Sequence, residues 1–354
     1  MARSVRVHRK RRLPKEAAQA ERRILRALTI VTAAAPTLEK LSLDPATRNT
    51  AARVRDVLAT PNVVGVGMSE KVTRGKGTGV LALTFYVEKK RSLRRLSALE
   101  ALPPALPTRA GVAEAVPIDV VELGRLRLEA PLNVKRNPIQ PGFSIGHVNV
   151  TAGTLGAIVT PRKTYRILSN SHVLARSGLA KLGDSILYPG PADGGRNSQD
   201  LVAELSRIVP FVVGGEFVNT VDCALARPIP GRLADLRSRI PGIGLPKGVV
   251  EPQRGMKIVK VGRTTKKTTG EIRDINFRFV LHFDRIGDVG FRDQILCTRY
   301  TQPGDSGSLV LERNTNLAVG LHFAGASGGS VCNPITEVLR KLRVKLVTED
   351  ILER

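Results

Sequence analysis

Ser306 lies in a stretch suited to a nucleophile. Gln302-Pro303-Gly304-Asp305-Ser306-Gly307-Ser308-Leu309-Val310 reads as a tight glycine turn running straight into an apolar strand. Glycines on both sides allow backbone conformations closed to other residues and let a second backbone approach closely. In such a turn the amides of Gly304 and Ser306 can converge beside the Ser306 hydroxyl. That is where an acyl-transfer reaction needs donors for the charge on a carbonyl oxygen, an oxyanion hole. A base and an orienting acid have matching settings elsewhere. His172 follows the apolar run Ile167-Leu168-Ser169, and Asp222 is embedded in the small, apolar strand Val221-Asp222-Cys223-Ala224-Leu225. The chain order is His172, Asp222, Ser306, and residues so dispersed act together only if the fold gathers them. Taken singly, each has a plainer reading: a hairpin turn, a strand-end histidine, a surface carboxylate on an edge strand.

Taken together, the Ser171-His172-Val173-Leu174-Ala175 segment, the Asp222 strand and Gly304-Asp305-Ser306-Gly307-Ser308 resemble the trypsin-like (chymotrypsin-fold) serine peptidases. The form they resemble is bacterial and disulfide-free, with an N-terminal extension. Val319-Gly320-Leu321-His322-Phe323-Ala324-Gly325 looks like the family's substrate-binding strand. The resemblance covers about residues 143 to 345. It implies a mainly β fold with two six-stranded antiparallel barrels. It also implies a catalytic triad of Ser306 as nucleophile, His172 as base and Asp222 as its orienting acid, with Gly304 and Ser306 lining the oxyanion hole. The primary pocket would be lined by Tyr300, Thr301, His322 and Phe323. Tyr300 offers no carboxylate to a Lys or Arg substrate, and His322 with the Thr301 hydroxyl implies a preference for an acidic side chain before the scissile bond. The competing reading turns His322 away from the pocket, because neighbours on a strand alternate faces. One departure stands out. Asp305 in the digestive members pairs with a new N-terminus, yet no Ile-Val-Gly-Gly start exists here, only Ser144-Ile145-Gly146 near a comparable place. Either Asp305 has another partner or the N-terminal part must first be cut away.

The elements that must position these residues follow from pattern. Residues 1–60 read as a basic helical segment: an amphipathic helix from Glu16 to Val31, then a second one opened by Asp44-Pro45 with Val54, Val57 and Leu58 as its stripe. Residues 61–124 read as a small α+β module. Its strands lie at 62–68, 79–87 and 115–123, with a helix near 93–99. Its role is open between inhibition, substrate capture and support. The Pro- and Asn-rich residues 125–142 read as a linker. Residues 143–354 form the remaining unit, with barrels at about 143–230 and 250–334 and a closing helix at 335–342. Within the second barrel, 269–274 and 279–283 read as separate strands.

Composition bounds the partners. Three cysteines, Cys223, Cys297 and Cys332, in 354 residues read as buried apolar groups in a reducing compartment. Their spacing suggests no metal site, and no cofactor is expected. The run Leu28 to Ala35 is too short to cross a bilayer and sits behind a mixed-charge segment, so the expectation is a cytoplasmic protein without a membrane partner. The net charge of +25 is concentrated in residues 1–26 and in Arg254 to Arg278, which holds Lys257, Lys260, Arg263, Lys266, Lys267 and Arg273. Such runs suit nonspecific contact with nucleic acid or an acidic protein, or simply a solvated surface. The alternative to a peptidase acting on protein or peptide is therefore an idle basic scaffold binding an acidic protein or nucleic acid. The oligomeric state has no signature in the sequence.

Overall fold

A computed structural model of the chain describes residues 7–8, 15–41, 43–73, 76–97, 100–108, 115–126, 138–162, 164–197 and 199–351. The architecture is mainly β, with two curled sheets. The helix Lys15–Thr32 turns Ile24, Ala27, Leu28 and Val31 inward at helical spacing. The helix Pro45–Leu58 is opened by Asp44, whose carboxylate accepts from the Thr47 amide at 3.0 Å, and by a proline in its first turn. Both pack on the strands Val63–Thr73, Lys76–Val87, Val116–Glu122 and Ala105–Leu106, around Met68, Leu83 and Phe85. Lys76–Val87 and Val116–Glu122 run parallel, which requires the long crossover between them. The helix expected near 93–99 is a single 3-10 turn, Leu93–Arg95.

These strands do not stand apart from the rest. Val63–Thr73 joins the long strand Lys266–Phe283 at Val66 and Arg278, making one thirteen-stranded sheet. Glycine permits the join. A Cβ on Gly65 would meet the Phe277 ring at 2.5 Å, and one on Gly67 would collide with the Asp274 carboxylate. Tyr86 packs edge-on against Phe277 with ring centres 5.1 Å apart. Lys266–Phe283 also replaces two expected strands. Asp274 and Asn276 interrupt its apolar pattern, but register shifts absorb them as bulges and not as a turn. The strand then continues into Gly287–Cys297, and the sheet runs on through Gly329–Pro334, Ala318–Ala326, Leu309–Glu312 and Lys257–Gly262, which pairs back with Lys266–Phe283.

The second sheet has eight strands, in the order Lys345–Leu346, Ala157–Thr160, Arg166–Ser169, Ala224–Pro228, Leu201–Ile208, Ser185–Leu187, Ser144–His147 and Gly153–Thr154. The helix Ile335–Leu342 leaves the first sheet and buries Ile335, Val338, Leu339 and Leu342 in a core shared with Val159, Leu168 and Leu225 of the second. No helix among the described residues is long and apolar enough to cross a membrane. Residues 1–6 and 9–14 of the expected basic segment, and most of the expected linker, lie outside the described residues.

Candidate active site

His172 and Asp222 are brought together by strand pairing. The strand Arg166–Ser169 feeds the one-turn helix Ser171–Leu174, and it lies antiparallel to Ala224–Pro228, with Ser169 opposite Ala224. Asp222 precedes that partner strand, so its carboxylate arrives under the helix turn. His172 Nδ1 donates to Asp222 Oδ2 at 2.5 Å, while Oδ1 accepts the amides of Ser171 at 2.7 Å and His172 at 3.3 Å. Asn170 Nδ2 donates to the Asp222 carbonyl at 2.8 Å, and the Asp222 amide donates to Asn333 Oδ1 at 3.0 Å. Asn333, from the other sheet, is itself held by Gln294 at 2.7 Å. Asp222 has no exposed surface and the His172 side chain is 11% exposed. With Asp222 Oδ2 accepting from Nδ1, the ring proton is placed there and Nε2 is left as the acceptor. Nε2 has no hydrogen-bond partner among the described residues.

Ser306 sits in its turn between Gly304 at φ +94° and Gly307 at φ +96°, conformations that need glycine. A Cβ on Gly307 would collide with Ser169 Oγ and the Thr154 carbonyl, so the turn is pressed onto the strand leading to His172. Thr154 fastens it there. Its amide donates to the Ser306 carbonyl at 2.7 Å, and its hydroxyl donates to the Gly304 carbonyl at 2.8 Å. The Gly304 and Ser306 amides have no acceptor among the described residues. Ser306 Oγ donates to the Phe323 carbonyl at 3.3 Å and makes no bond to His172 Nε2. The Ser306 turn and the His172–Asp222 pair are thus both held to the strand Arg166–Ser169, with no hydrogen bond between Ser306 Oγ and His172.

Asp305 has an internal partner. Lys260 Nζ lies 3.0 Å from its Oδ2, with neither side chain exposed. Thr265 Oγ1 and the amides of Gln302, Thr264 and Thr265 complete the shell at 2.7 to 3.1 Å. Beside it, Arg263 is clamped onto Asp193, in a 3-10 turn between two strands of the other sheet, and the same carboxylate accepts from Ser144 Oγ. Two members of the expected basic run are therefore buried ion-pair partners and not surface charge. Sequence reasoning missed Lys260, Arg263, Thr154 and Asn333 in these roles. For Lys260 a signal existed: a lone cation inside Ile258-Val259-Lys260-Val261 points to a buried partner.

The four expected pocket residues divide. Tyr300, Thr301 and His322 collect around one spot. The Tyr300 hydroxyl bonds Cys332 Sγ at 3.1 Å, Thr301 Oγ1 bonds Ser330 Oγ at 2.6 Å, and the His322 ring lies 6.1 Å from that of Tyr300, with Cys332 directly across the ladder. Burial raises the Cys332 thiol, but hydrogen bonds from Cys297, His322 and Tyr300 outweigh it and bring it down to about 5. Phe323 falls elsewhere, in the aromatic cluster with Phe279 and Phe291. None of the four side chains has appreciable exposed surface. A cleft of about 1010 Å³ opens beside His172, walled by Asn149–Ala152, by residues 176–179, by the tip of the long hairpin and by the N-terminal strands. Among the described residues no group of three or more His, Cys, Asp or Glu side chains is placed to hold a metal ion.

No protein-family profile matches the chain, and no curated protein matches it. Among solved structures it is similar to a glutamic-acid-specific serine protease described as using a histidine triad in substrate binding. That likeness has a TM-score of 0.42 at 18% identity, over 59% of this chain and 100% of the other. It is similar to the chymotrypsin of Cellulomonas bogoriensis, with a TM-score of 0.40 at 17% identity over 60% and 100% of the two chains. It is also similar to protease A of Thermobifida fusca, with a TM-score of 0.41 at 18% identity over 60% and 99%.

Proposed function

We propose that this chain is a serine endopeptidase acting on protein or peptide substrates. The observation that carries this reading is the buried Asp222 carboxylate on His172 Nδ1, placed where the glycine turn of Ser306 is fastened to the same strand. His172 takes the Ser306 proton as the hydroxyl attacks the scissile carbonyl, and later returns it to the leaving amine. Asp222 holds the tautomer and stabilises the imidazolium. The Gly304 and Ser306 amides, free of other acceptors, receive the oxyanion, with each such donor worth on the order of 3 kcal/mol. In this reading Oγ leaves the Phe323 carbonyl for Nε2 when substrate binds, since such catalytic bonds commonly tighten only in the complex.

In this reading the two curled sheets are the two barrels of a chymotrypsin-like fold, the first extended by the N-terminal strands. The acidic preference rests on His322 and the Thr301 hydroxyl. Because Lys260 already satisfies Asp305, no N-terminal cleavage is needed to set the turn. Three free, buried cysteines support a reducing, cytoplasmic setting. The scaffold alternative is weakened by the burial of Lys260 and Arg263 in ion pairs.

Labelling of the uncut full-length protein with a fluorophosphonate tests the reading. Covalent labelling that Ser306→Ala abolishes is the expected result. Labelling unchanged in that variant, or none in folded wild-type protein, would overturn it.

A further inference from the structure

The cleft beside His172 is completed by parts of the chain that the triad does not use. The N-terminal strands end against the strand that follows the nucleophile. The Gly328 amide donates to the Leu123 carbonyl at 2.6 Å, and Ser327 Oγ donates to the same carbonyl at 3.3 Å. The Leu123 side chain is buried in the cluster that holds Phe323, Ala324 and Val331. This contact fixes Arg125 on the cleft wall. Arg176 reaches the same wall from the loop after His172, and Arg285 reaches it from the turn of the long hairpin.

Three guanidiniums from three separate stretches therefore line one cavity, and none has a hydrogen-bond or ion-pair partner among the described residues. Arg125 and Arg285 are exposed and Arg176 is half-buried. The backbone around Arg176 is costly. Arg176 and the next residue, Ser177, hold φ +50° and +58°, left-handed conformations that cost roughly 1–2 kcal/mol each outside glycine. The other charges on the wall are Glu88, Asp284 and His282, and His282 is engaged by Asp288 at 2.7 Å. Cation is in excess, in the planar form that takes carboxylates two oxygens at a time.

We propose that Arg125, Arg176 and Arg285 form a recognition surface for an acidic segment of the substrate, flanking the bond to be cut. One anchor, Arg125, follows directly on the N-terminal module, whose role is then substrate capture. The proposal rests on the peptidase reading for the identity of the ligand as substrate. Affinity comes from pairing carboxylates with guanidiniums at the cleft rim, so it is sensitive to salt.

The test uses full-length Ser306→Ala and two fluorescein-labelled peptides of equal length, one carrying a run of glutamates and the other glutamines in their place. Fluorescence anisotropy is expected to show tighter binding of the glutamate peptide, about tenfold or more in Kd, shrinking as salt rises from about 50 to about 300 mM. Arg125→Glu, Arg176→Glu and Arg285→Glu should each weaken that peptide by about fivefold and leave the glutamine peptide unchanged. The same changes made beside an intact Ser306 should keep fluorophosphonate labelling, which reports an undisturbed fold. Equal binding of the two peptides, or reversals that weaken both alike, would overturn the proposal. So would a single-stranded oligothymidylate that binds more tightly than the glutamate peptide through the same arginines. Labelling without acidic binding sinks this surface alone. Acidic binding without labelling sinks the catalytic reading, and with it the claim that the bound segment flanks a scissile bond.

Discussion

Asp305 and Asp274 are the same residue type, both without exposed surface, yet their surroundings drive them in opposite directions. At Asp305 burial pushes the carboxyl up, but Lys260 at 3.0 Å, the Thr265 hydroxyl and the amides of Gln302 and Thr265 outweigh it and hold it below its ordinary value. At Asp274, on the seam between the N-terminal strands and the long hairpin, burial dominates and the carboxyl rises to about 7. The Asn276 amide at 2.8 Å, the Tyr86 hydroxyl at 3.1 Å and the more distant Arg254 pull it down without reversing it. Both groups are well supplied with donors. What separates them is a cation in contact, since at Asp274 the hydrogen bonds alone do not offset the desolvation of the carboxylate. The turn that carries Ser306 thus rests on a fixed ion pair, and the seam rests on a carboxyl that titrates near neutrality.

The most forceful way to break this contrast is Lys260→Met. It keeps the stem and removes the cation, leaving Asp305 buried and unpaired at a cost of about 3–5 kcal/mol. Urea unfolding at neutral pH should show that loss, and fluorophosphonate labelling should fall with it, because Asp305 shapes the turn that carries Ser306. Lys260→Met combined with Asp305→Asn should recover much of the stability. A single-variant loss below about 1 kcal/mol would mean that the donors suffice and the cation does not decide.

The two sites also differ in how much of them the sequence discloses. Ser306, His172 and Asp222 were legible because each carries a local mark: a glycine turn, a polar residue closing an apolar strand, a lone carboxylate among small apolar neighbours. The Lys260 side of the pair was marked in the same way, by a cation in an apolar run. Asp274 carried no such mark. Its partner Tyr86 is 188 residues away, and the seam depends on a single registered pair, Val66 with Arg278, that no periodicity announces. Asp274 and Asn276 looked like the end of a strand because polar residues usually mark turns. Only the N-terminal strands, packed over them, make a bulge at that point worthwhile. His322 was ambiguous for a related reason: strand alternation states that it faces one side, and the identity of that side depends on Cys332 and Tyr300 from other strands.

Asp274→Asn sharpens the contrast through pH. The folded state holds a proton on Asp274 up to about pH 7, whereas the unfolded chain releases it near the ordinary aspartate value of 3.8. Between those values the folded state binds more protons, so this group lowers stability as pH rises from about 4 to about 7 and changes nothing above that. Asparagine removes the titration. The gain of the variant over wild type should therefore be near zero at pH 4, grow through the window and level off above pH 7, reaching at most on the order of 4 kcal/mol. Denaturant midpoints across that range check it. For Asp305 the sign is reversed, its contribution being lost only on acidification. A flat difference between Asp274→Asn and wild type would show that Asp274 is charged throughout.

The smallest effect is expected from Tyr86→Phe, which tests whether donors matter at all where no cation is present. Burial and the neighbouring Asp274 keep the Tyr86 phenol protonated, so its hydroxyl is a donor over the whole accessible range. Phenylalanine preserves the edge contact with Phe277 and removes only that bond. With Asp274 protonated, the bond is neutral and its loss costs about 1 kcal/mol or less. Once Asp274 ionises, the lost bond is charge-assisted and costs about twice as much. The variant should therefore lose more stability at pH 8 than at pH 6, and its pH-dependent decline should extend above that of wild type, because the carboxyl has one fewer donor to its charged form. Equal losses at the two pH values would reduce Tyr86 to a packing residue and leave Asp274 governed by burial, the Asn276 amide and Arg254.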